Sequence, residues 1–585
     1  MRLEEYWGIG PKTRDLLASE RGVEAAIEAI ESADIRGLTE AGLSRGRATR
    51  ILRHAHGGAA MDLLATRDAR TVYKELLAIM GEYAVSADAA DRIRILTPLS
   101  DPEAMTDRLD QVAAARESWA ALDEDTREQV IAVFESYDEA GRTRRAGATA
   151  ALELRDLGLN SGVFEPLTDL DADRLDAGAA ALAGLEGGED GVGAGADDRL
   201  DELRTQLGAV EDLRANPEEI LEAVKSGARG GGELRDALSQ HVAQETGIDT
   251  TAITDAMPRE AADARAFVTE SLRTLADERR EEVSERESEV RADLEDELAA
   301  AEDDLDSAIE AIEEIALAVS LARFAEAFDL TRPRFVDEDV AGVVNARNIF
   351  LVDAGESVQP ITYAVGDHGL TVAGAAVPPQ GDRVAVLTGA NSGGKTTLLE
   401  TLCQVQLLAQ MGLPVPASEA EVTIVDSVVF HRRHASFNAG VLESTLRSVV
   451  PPLTDPGRTL MLVDEFEAIT EPGSAADLLH GLVTLTVDQE ALGVFVTHLA
   501  DDLEPLPEAA RTDGIFAEGL TQDLELQVDY QPRFETVGRS TPEFIVSRLL
   551  ADASDNRQRA GYGTLAEAVG ESAVQRTLAD ARWTE

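Results

Sequence analysis

The sequence VAVLTGANSGGKTTLLE (residues 384–400) joins an apolar run, a glycine-rich turn and the beginning of a helical pattern. From Gly389 to Thr396 the spacing is Gly, four residues, then Gly-Lys-Thr, which is the pattern of a phosphate-binding loop. In such a loop, backbone N–H groups surround phosphate oxygens at the N-terminus of a helix. We therefore predict a strand over 384–387, a helix over 397–408 and a nucleotide phosphate site between them.

Lys395 is one of only four lysines in the chain, and its compact charge suits the β- and γ-phosphates of ATP. The hydroxyl of Thr396 is expected to bind Mg²⁺, or another divalent cation such as Mn²⁺, beside those phosphates. The predicted nucleotide-contacting residues of the loop are Gly389, Ala390, Asn391, Ser392, Gly393, Gly394, Lys395, Thr396 and Thr397.

Two acidic residues follow a second apolar run further along the chain. Leu460–Val463 reads as a buried strand, and Asp464 and Glu465 come directly after it. We predict that Asp464 holds the metal ion through its water shell and that Glu465 polarises the attacking water. His498, after the apolar run 494–496, is predicted to contact the γ-phosphate or that water.

The sequence pattern changes near Pro333, and this change predicts the fold class. Before it, long stretches rich in Ala, Leu, Glu and Arg indicate helices. After it, strand-like runs alternate with helical segments, which predicts an α/β domain with a largely parallel sheet. These runs are 384–387, 422–425, 460–463 and 494–496. The expected fold is therefore multidomain, with a helical part followed by an α/β part.

The helical part divides at glycine-rich stretches and at Pro258. We expect a core or lever region over 57–257, with acidic Gly-rich linkers near 183–198 and 226–232. Residues 258–332 have a narrow apolar stripe at spacings of seven, four and three, which predicts a long helix in a coiled-coil arm or lever. The alternative is two stacked helices with a bend near Leu275 or Ala299. Residues 551–585 are expected to form a helical tail.

Several motifs together resemble the ATPase domain of the MutS family, within the ABC ATPase class. They are TGANSGGKTT (388–397), VPA (415–417), LMLVDEF (460–466) and THL (497–499). The resemblance covers residues 335–550 and implies an ABC-type P-loop ATPase domain, a homodimer that clasps ATP, and linkage to DNA. It also implies that Ser436, in the segment that matches the family's Ser-Thr-Phe signature, contacts nucleotide across the dimer.

The first 56 residues contain a repeat with a basic character. Residues 8–14 (GIGPKTR) and 42–48 (GLSRGRA) each lead into an apolar helical pattern, and together they resemble a tandem helix-hairpin-helix. Such hairpins present backbone N–H groups to DNA phosphates without reading bases. The predicted DNA contacts are Gly8, Gly10, Lys12, Gly42, Ser44, Arg45 and Arg47. The alternative interpretation is a pair of ordinary helical hairpins in a docking module.

Composition limits the class of protein. There are 111 Asp and Glu against 53 Lys and Arg, a net charge of −58, which indicates a salt-rich cytoplasm or simply an acidic protein from an arginine-rich genome. Cys403 is the only cysteine, so a disulfide framework is excluded. Because the sequence shows neither a secretory pattern nor an apolar run of membrane-spanning length, we expect a cytoplasmic protein without membrane contact.

The leading hypothesis is an ATP-hydrolysing protein that binds DNA independently of sequence. The Phe-x-Glu wedge of mismatch-sensing relatives is missing, because the first phenylalanine is Phe134, so repair or recombination is expected instead. Only 35 residues follow position 550, and no nuclease domain is expected there. Two alternatives are a chromosome-structuring ATPase of the SMC or Rad50 type and an RNA- or ribosome-associated ATPase.

Overall fold

The chain divides into two compact units, Met1–Asp123 with Ile315–Glu585, and Glu124–Glu314. The computed structural model describes residues 3–186, 191–225, 231–372, 377–389, 394–433, 439–466, 472–520, 526–538, 542–553, 555–570 and 574–575. The predicted contact residues 390–393 and 436 lie outside these ranges. None of the helices within the described ranges is long and apolar enough to cross a membrane.

The first unit begins with helices only. They are α1 (Pro11–Glu20), α2 (Val23–Glu31), α3 (Ile35–Glu40), α4 (Arg45–Gly57), α5 (Arg67–Glu82), α6 (Ala87–Ile95) and α7 (Pro102–Ala120). The sequence repeat is also a structural repeat: Gly8 and Gly42 have φ of +80° and +90°, which favours glycine, and a helix starts three residues after each. Ile9 and Leu43, between each glycine and its helix, are buried in the same small core.

The second unit is a helical assembly arranged along one long helix. Its elements are α8 (Glu124–Glu139), α9 (Arg144–Asp156), α10 (Ala172–Leu185), α11 (Asp198–Ala215), α12 (Pro217–Lys225), α13 (Gly231–Thr246), α14 (Thr250–Asp255) and most of α15 (Ala264–Ala327). The backbone is helical through Leu275 and Ala299, so α15 is one element about 100 Å long.

Small residues allow the neighbouring helices to approach α15 closely. A Cβ atom added at Gly147, Gly178 or Gly184 would lie 2.8 Å from a side-chain atom of α15. The atoms met belong to Ile309, Ala301 and Leu294, respectively. On α10 the partner number falls as the glycine number rises, so α10 runs antiparallel to α15. On α9, Arg144 pairs with Glu302 and Asp306 while Gly147 faces Ile309, so α9 runs parallel to α15. The arm predicted from sequence therefore has several short helices beside α15, rather than a single equally long partner.

The α/β part of the first unit contains two sheets. Its elements are β1 (Arg334–Phe335), β2 (Val340–Ala346), α16 (Ile349–Asp353), β3 (Ile361–Gly366), β4 (Val384–Gly389), α17 (Lys395–Gln410), β5 (Glu419–Val422), β6 (Ser427–His431), α18 (Ala439–Thr454), β7 (Thr459–Asp464), α19 (Pro472–Asp488), β8 (Leu492–Val496), β9 (Ala510–Leu520), β10 (Leu526–Arg533), α20 (Pro542–Asp552) and α21 (Asn556–Val569). The prediction of a multidomain chain with helical and α/β parts is confirmed at this level.

The larger sheet has the order β10-β9-β4-β8-β7-β6, and only the β10–β9 pair is antiparallel. Strands β4, β7 and β8 are buried throughout, as their continuous apolar runs predict. Because β4, β7 and β8 are parallel, their carboxyl ends meet at one edge of the sheet. The smaller sheet has the order β1-β5-β2-β3.

One predicted strand is largely wrong. The run 422–425 was expected to be a strand, but β5 ends at Val422. Beyond it, glutamine side chains of α17 take the place of a neighbouring strand. Gln410 donates to the carbonyl of Val425 and accepts from its N–H, and Gln406 donates to the carbonyl of Thr423. Because glutamine side chains supply the hydrogen-bond partners of these backbone groups, residues 423–425 need no neighbouring strand.

A buried polar network joins β9 to β3 and β4. Tyr363 donates its hydroxyl hydrogen to Asp513 Oδ2 at 2.8 Å, and Arg511 Nε lies 3.0 Å from the same oxygen. All three residues are at most 5% exposed, and burial raises the pKa of the Tyr363 hydroxyl. The carbonyl of Asp513 accepts from Thr388, the residue before Gly389. The network thus supports the end of β4, which leads into the predicted phosphate loop.

We expect Tyr363→Phe to lower the free energy of unfolding of this unit by about 2 kcal/mol, because a buried carboxylate loses one donor. The measurement is urea unfolding followed by circular dichroism, with half-exposed Tyr562→Phe as the matched control. Equal midpoints for Tyr363→Phe and the parent protein would contradict the role given to this network.

Candidate functional site

The turn between β4 and α17 holds the predicted phosphate-binding residues that the structure describes. Gly389 ends β4 and Gly394, with φ of +70°, precedes α17. Lys395 is 4% exposed, and its Nζ donates to the carbonyl oxygen of Gly389 at 2.8 Å. A Cβ at Gly389 would lie 2.2 Å from the carbonyl oxygen of Ile515 on β9, so no larger residue fits. The ammonium group is therefore held at the carboxyl end of β4.

Asp464 lies at the carboxyl end of β7, beside the start of α17. Thr396 Oγ1 donates to Asp464 Oδ2 at 2.7 Å. The side chain is 2% exposed, and its Oδ1 accepts no hydrogen bond from any of the described residues. Burial raises the pKa of this carboxyl group. A hydroxyl and a buried carboxylate with an unused oxygen are a donor set that fits Mg²⁺.

Glu465 is held on both carboxylate oxygens. Its Oε1 is 3.0 Å from His498 Nε2, and its Oε2 is 2.6 Å from Arg433 Nη1. The hydrogen bond from His498 is the main cause of the lowered pKa of Glu465, and the charges of Arg433 and Lys395 lower it further. The backbone N–H of Glu465 donates to the carbonyl of Val496 at 3.0 Å. Glu465 is thus an ionised acceptor, positioned by β8 as well as by its own strand.

Sequence analysis missed Arg433. Strands β6 and β7 are parallel, and His431 pairs with Val463. Arg433 follows His431 by two residues, and Glu465 follows Val463 by two residues. The register of the two strands therefore explains their contact. Sequence analysis could have found this pair only by knowing that β6 and β7 are neighbours in the sheet, because no sequence motif contains both residues.

A cavity of about 390 Å³ lies directly against this edge of the sheet. Its lining includes the predicted Gly394, Lys395, Thr396, Thr397 and Glu465, together with Asn348, Gln359 and Tyr530, which sequence analysis missed. The volume is within the range of small-molecule sites.

Tyr530 lies close to the N-terminus of α17. A Cβ atom at Gly394 would come within 2.7 Å of its ring, and its backbone N–H donates to Gln359 Oε1 at 3.1 Å. The residue is 40% exposed, so the ring has a surface left for a ligand. Because Tyr530 follows Lys395 by 135 residues and belongs to no motif, only the tertiary structure brings the two together.

The two N-terminal hairpins contact each other through a predicted DNA-binding residue. Arg47 Nη2 donates to Thr13 Oγ1 and lies 3.4 Å from the carbonyl of Gly8, so it connects the second hairpin to the first. Arg45 forms an ion pair with Asp91 on α6. Helix α1 starts directly after Gly10, α4 starts directly after Ser44, and Lys12 is exposed.

The charge of the hairpin region differs from that of the rest of the chain. Residues 1–57 contain nine Lys and Arg and nine Asp and Glu, so their net charge is zero. The remaining residues contain 44 basic and 102 acidic side chains and carry the whole net charge of −58. Within 42–57 there are four arginines and two histidines and no acidic residue. The second hairpin and α4 are therefore a local basic surface.

Comparison with known proteins gives a family match within the α/β part and several relatives. The family model described as MutS domain V matches residues 385–501. A protein named DNA-binding protein MutS2 from Pyrococcus furiosus is 40% identical over 246 residues, which are 42% of this chain and 42% of that protein.

Two more distant relatives are named Endonuclease MutS2. The one from Thermomicrobium roseum is 28% identical over 200 residues, 32% of this chain and 24% of the relative. The one from Shouchella clausii is 27% identical over 248 residues, 41% of this chain and 29% of the relative. The matched regions cover less than half the length of these curated relatives.

Proposed function

Because this chain is a MutS2-like protein of the MutS family, we propose that it is a DNA-linked ATPase of DNA repair or recombination. The observation that carries this proposal is the convergence of Lys395, Thr396, Asp464, Glu465 and His498 at one edge of the sheet beside the cavity. These five groups supply a phosphate-binding cation, two metal-binding oxygens, a base and a histidine donor.

Each residue has a distinct role in the proposed hydrolysis of ATP. Lys395 binds the β- and γ-phosphates. Thr396 and Asp464 would hold Mg²⁺, which when bound would neutralise charge on the phosphates. Glu465 orients and polarises the attacking water, and His498 holds the carboxylate of Glu465 in place. Catalysis of this kind depends on positioning and electrostatics more than on covalent chemistry.

Tyr530 and Gln359 support a base-binding end for the same cavity. Both residues line the cavity together with Lys395, and the Tyr530 ring lies against Gly394 at the start of α17. An aromatic ring with free surface can stack on a planar base. The nucleotide is thus proposed to extend from the loop at 389–396 towards Tyr530.

The resemblance to ABC-type ATPase domains implies that two such domains act together. We propose a homodimer in which ATP is bound between the domains, with Ser436 of each copy contacting the nucleotide of the other. The printed name of the Pyrococcus furiosus relative supports DNA as the partner. We propose that binding is largely independent of sequence, because the hairpins offer backbone N–H groups and cations suited to phosphates.

The first hairpin and α4 give a test of DNA binding. We expect the double variant Lys12→Glu with Arg50→Glu to weaken duplex binding at least tenfold and to flatten the salt dependence, because both residues are exposed cations of this module. The measurement is fluorescence anisotropy with a labelled duplex at several salt concentrations, with structured RNA as a second probe.

A matched control reverses two exposed cations of α5 in Arg67→Glu with Lys74→Glu. This variant changes the net charge by the same amount away from the hairpins. If both double variants weaken duplex binding equally, the effect is one of total charge and the hairpins are not the DNA site. Tighter binding of the parent protein to structured RNA than to duplex would favour the RNA-associated alternative.

A further inference from the structure

Trp7 is an exposed aromatic residue immediately before the first hairpin. It is 55% exposed. Its ring is stacked on that of His54, with 3.8 Å between ring centroids and 24° between ring planes. Because one face of the indole is covered by the imidazole, this exposure requires that much of the other face is open to solvent. The ring is therefore a flat apolar surface held in a defined orientation.

The α4 side of this ring has residues that suit a nucleic-acid contact. His54 belongs to α4, and the exposed Arg50 is four residues before it, on the same side of the helix. The segment 42–57 has no acidic residue in a chain of net charge −58. Gly8, the residue after Trp7, begins the hairpin proposed to contact phosphates. An exposed aromatic ring, a cation and a phosphate-binding turn thus occupy one small surface.

We propose that Trp7, backed by His54, is a stacking platform for an unpaired DNA base, so that the hairpin module binds at junctions of double- and single-stranded DNA. This inference rests on the proposed DNA binding and adds the preferred DNA structure. In a duplex the faces of the bases are covered by their neighbours, so an aromatic ring outside the stack has no free base face to contact. An unpaired base has a free face, and stacking on an aromatic side chain contributes about 1–3 kcal/mol per base.

The experiment compares two DNA probes with the full-length protein at constant salt. One is a blunt duplex, and the other is the same duplex with a short single-stranded extension. The parent protein is expected to bind the extended probe at least ~5-fold more tightly, the lower end of one stacked base. Trp7→Ala should remove this preference while changing duplex affinity less than about twofold, and Trp7→Phe should retain part of it. Quenching of tryptophan fluorescence by the extended probe should be lost in Trp7→Ala.

Val23→Ala is the matched control, because Val23 is a 47% exposed apolar residue of the same module. It should keep the preference for the extended probe. The inference is overturned if the parent protein binds both probes equally, or if Trp7→Ala weakens both equally, as a protein-docking role for Trp7 or a structural role would give. If the protein still binds the duplex in those cases, the proposed function is not contradicted. If it binds neither probe, both proposals are wrong.

Discussion

Glu465→Gln is expected to lower the rate of ATP hydrolysis roughly a hundredfold or more, while ATP affinity stays within a few-fold of the parent value. Glutamine has the size of glutamate and keeps one oxygen for His498 or Arg433, so the geometry of the site is preserved. It lacks the charge needed to polarise water. Hydrolysis is measured as phosphate release, and affinity is measured by titration with a fluorescent ATP analogue.

The control for this change is Glu518→Gln, because Glu518 is an exposed acid of β9 that pairs with Arg533. It should hydrolyse ATP at the parental rate. The Glu465 variant should also accumulate as an ATP-bound dimer, which sedimentation in the presence and absence of ATP would detect. Parental turnover in Glu465→Gln would show that another group activates the water.

Lys395→Ala is expected to weaken ATP binding at least tenfold and to reduce turnover to near background. The ammonium group is the buried cation of the site, and its loss leaves both the phosphates and the carbonyl of Gly389 without their donor. Lys395→Arg should also be impaired, because a planar guanidinium does not fit a 4% exposed position shaped for a compact charge.

Exposed Lys74→Ala is the matched control for the loss of one lysine. Unchanged thermal unfolding of the Lys395 variants without nucleotide would separate a binding defect from misfolding. ATP affinity within twofold of the parent in Lys395→Ala would mean that the loop does not hold the nucleotide phosphates.

The central part of the candidate site could be predicted because its residues belong to short local patterns. Lys395 and Thr396 occupy set positions in a strand–loop–helix pattern, and Asp464 and Glu465 follow a recognisable buried strand. Once parallel strands are inferred, their carboxyl ends must share an edge, which brings β4, β7 and β8 together. Arg433 and Tyr530 have no such pattern, since their positions depend on which strands are neighbours.

The sequence by itself determined the order of helical and α/β parts, the repeat of the two hairpins, the long helix, and the strand and helix on either side of the predicted phosphate loop. These follow from apolar periodicity and turn chemistry, which act within a few residues. Only the tertiary structure decided that Arg433 pairs with Glu465, that glutamines of α17 replace a strand at 423–425, and that Trp7 stacks on His54. Each of these contacts joins residues distant in sequence, and their pairing depends on the order of packed elements, which no local pattern encodes.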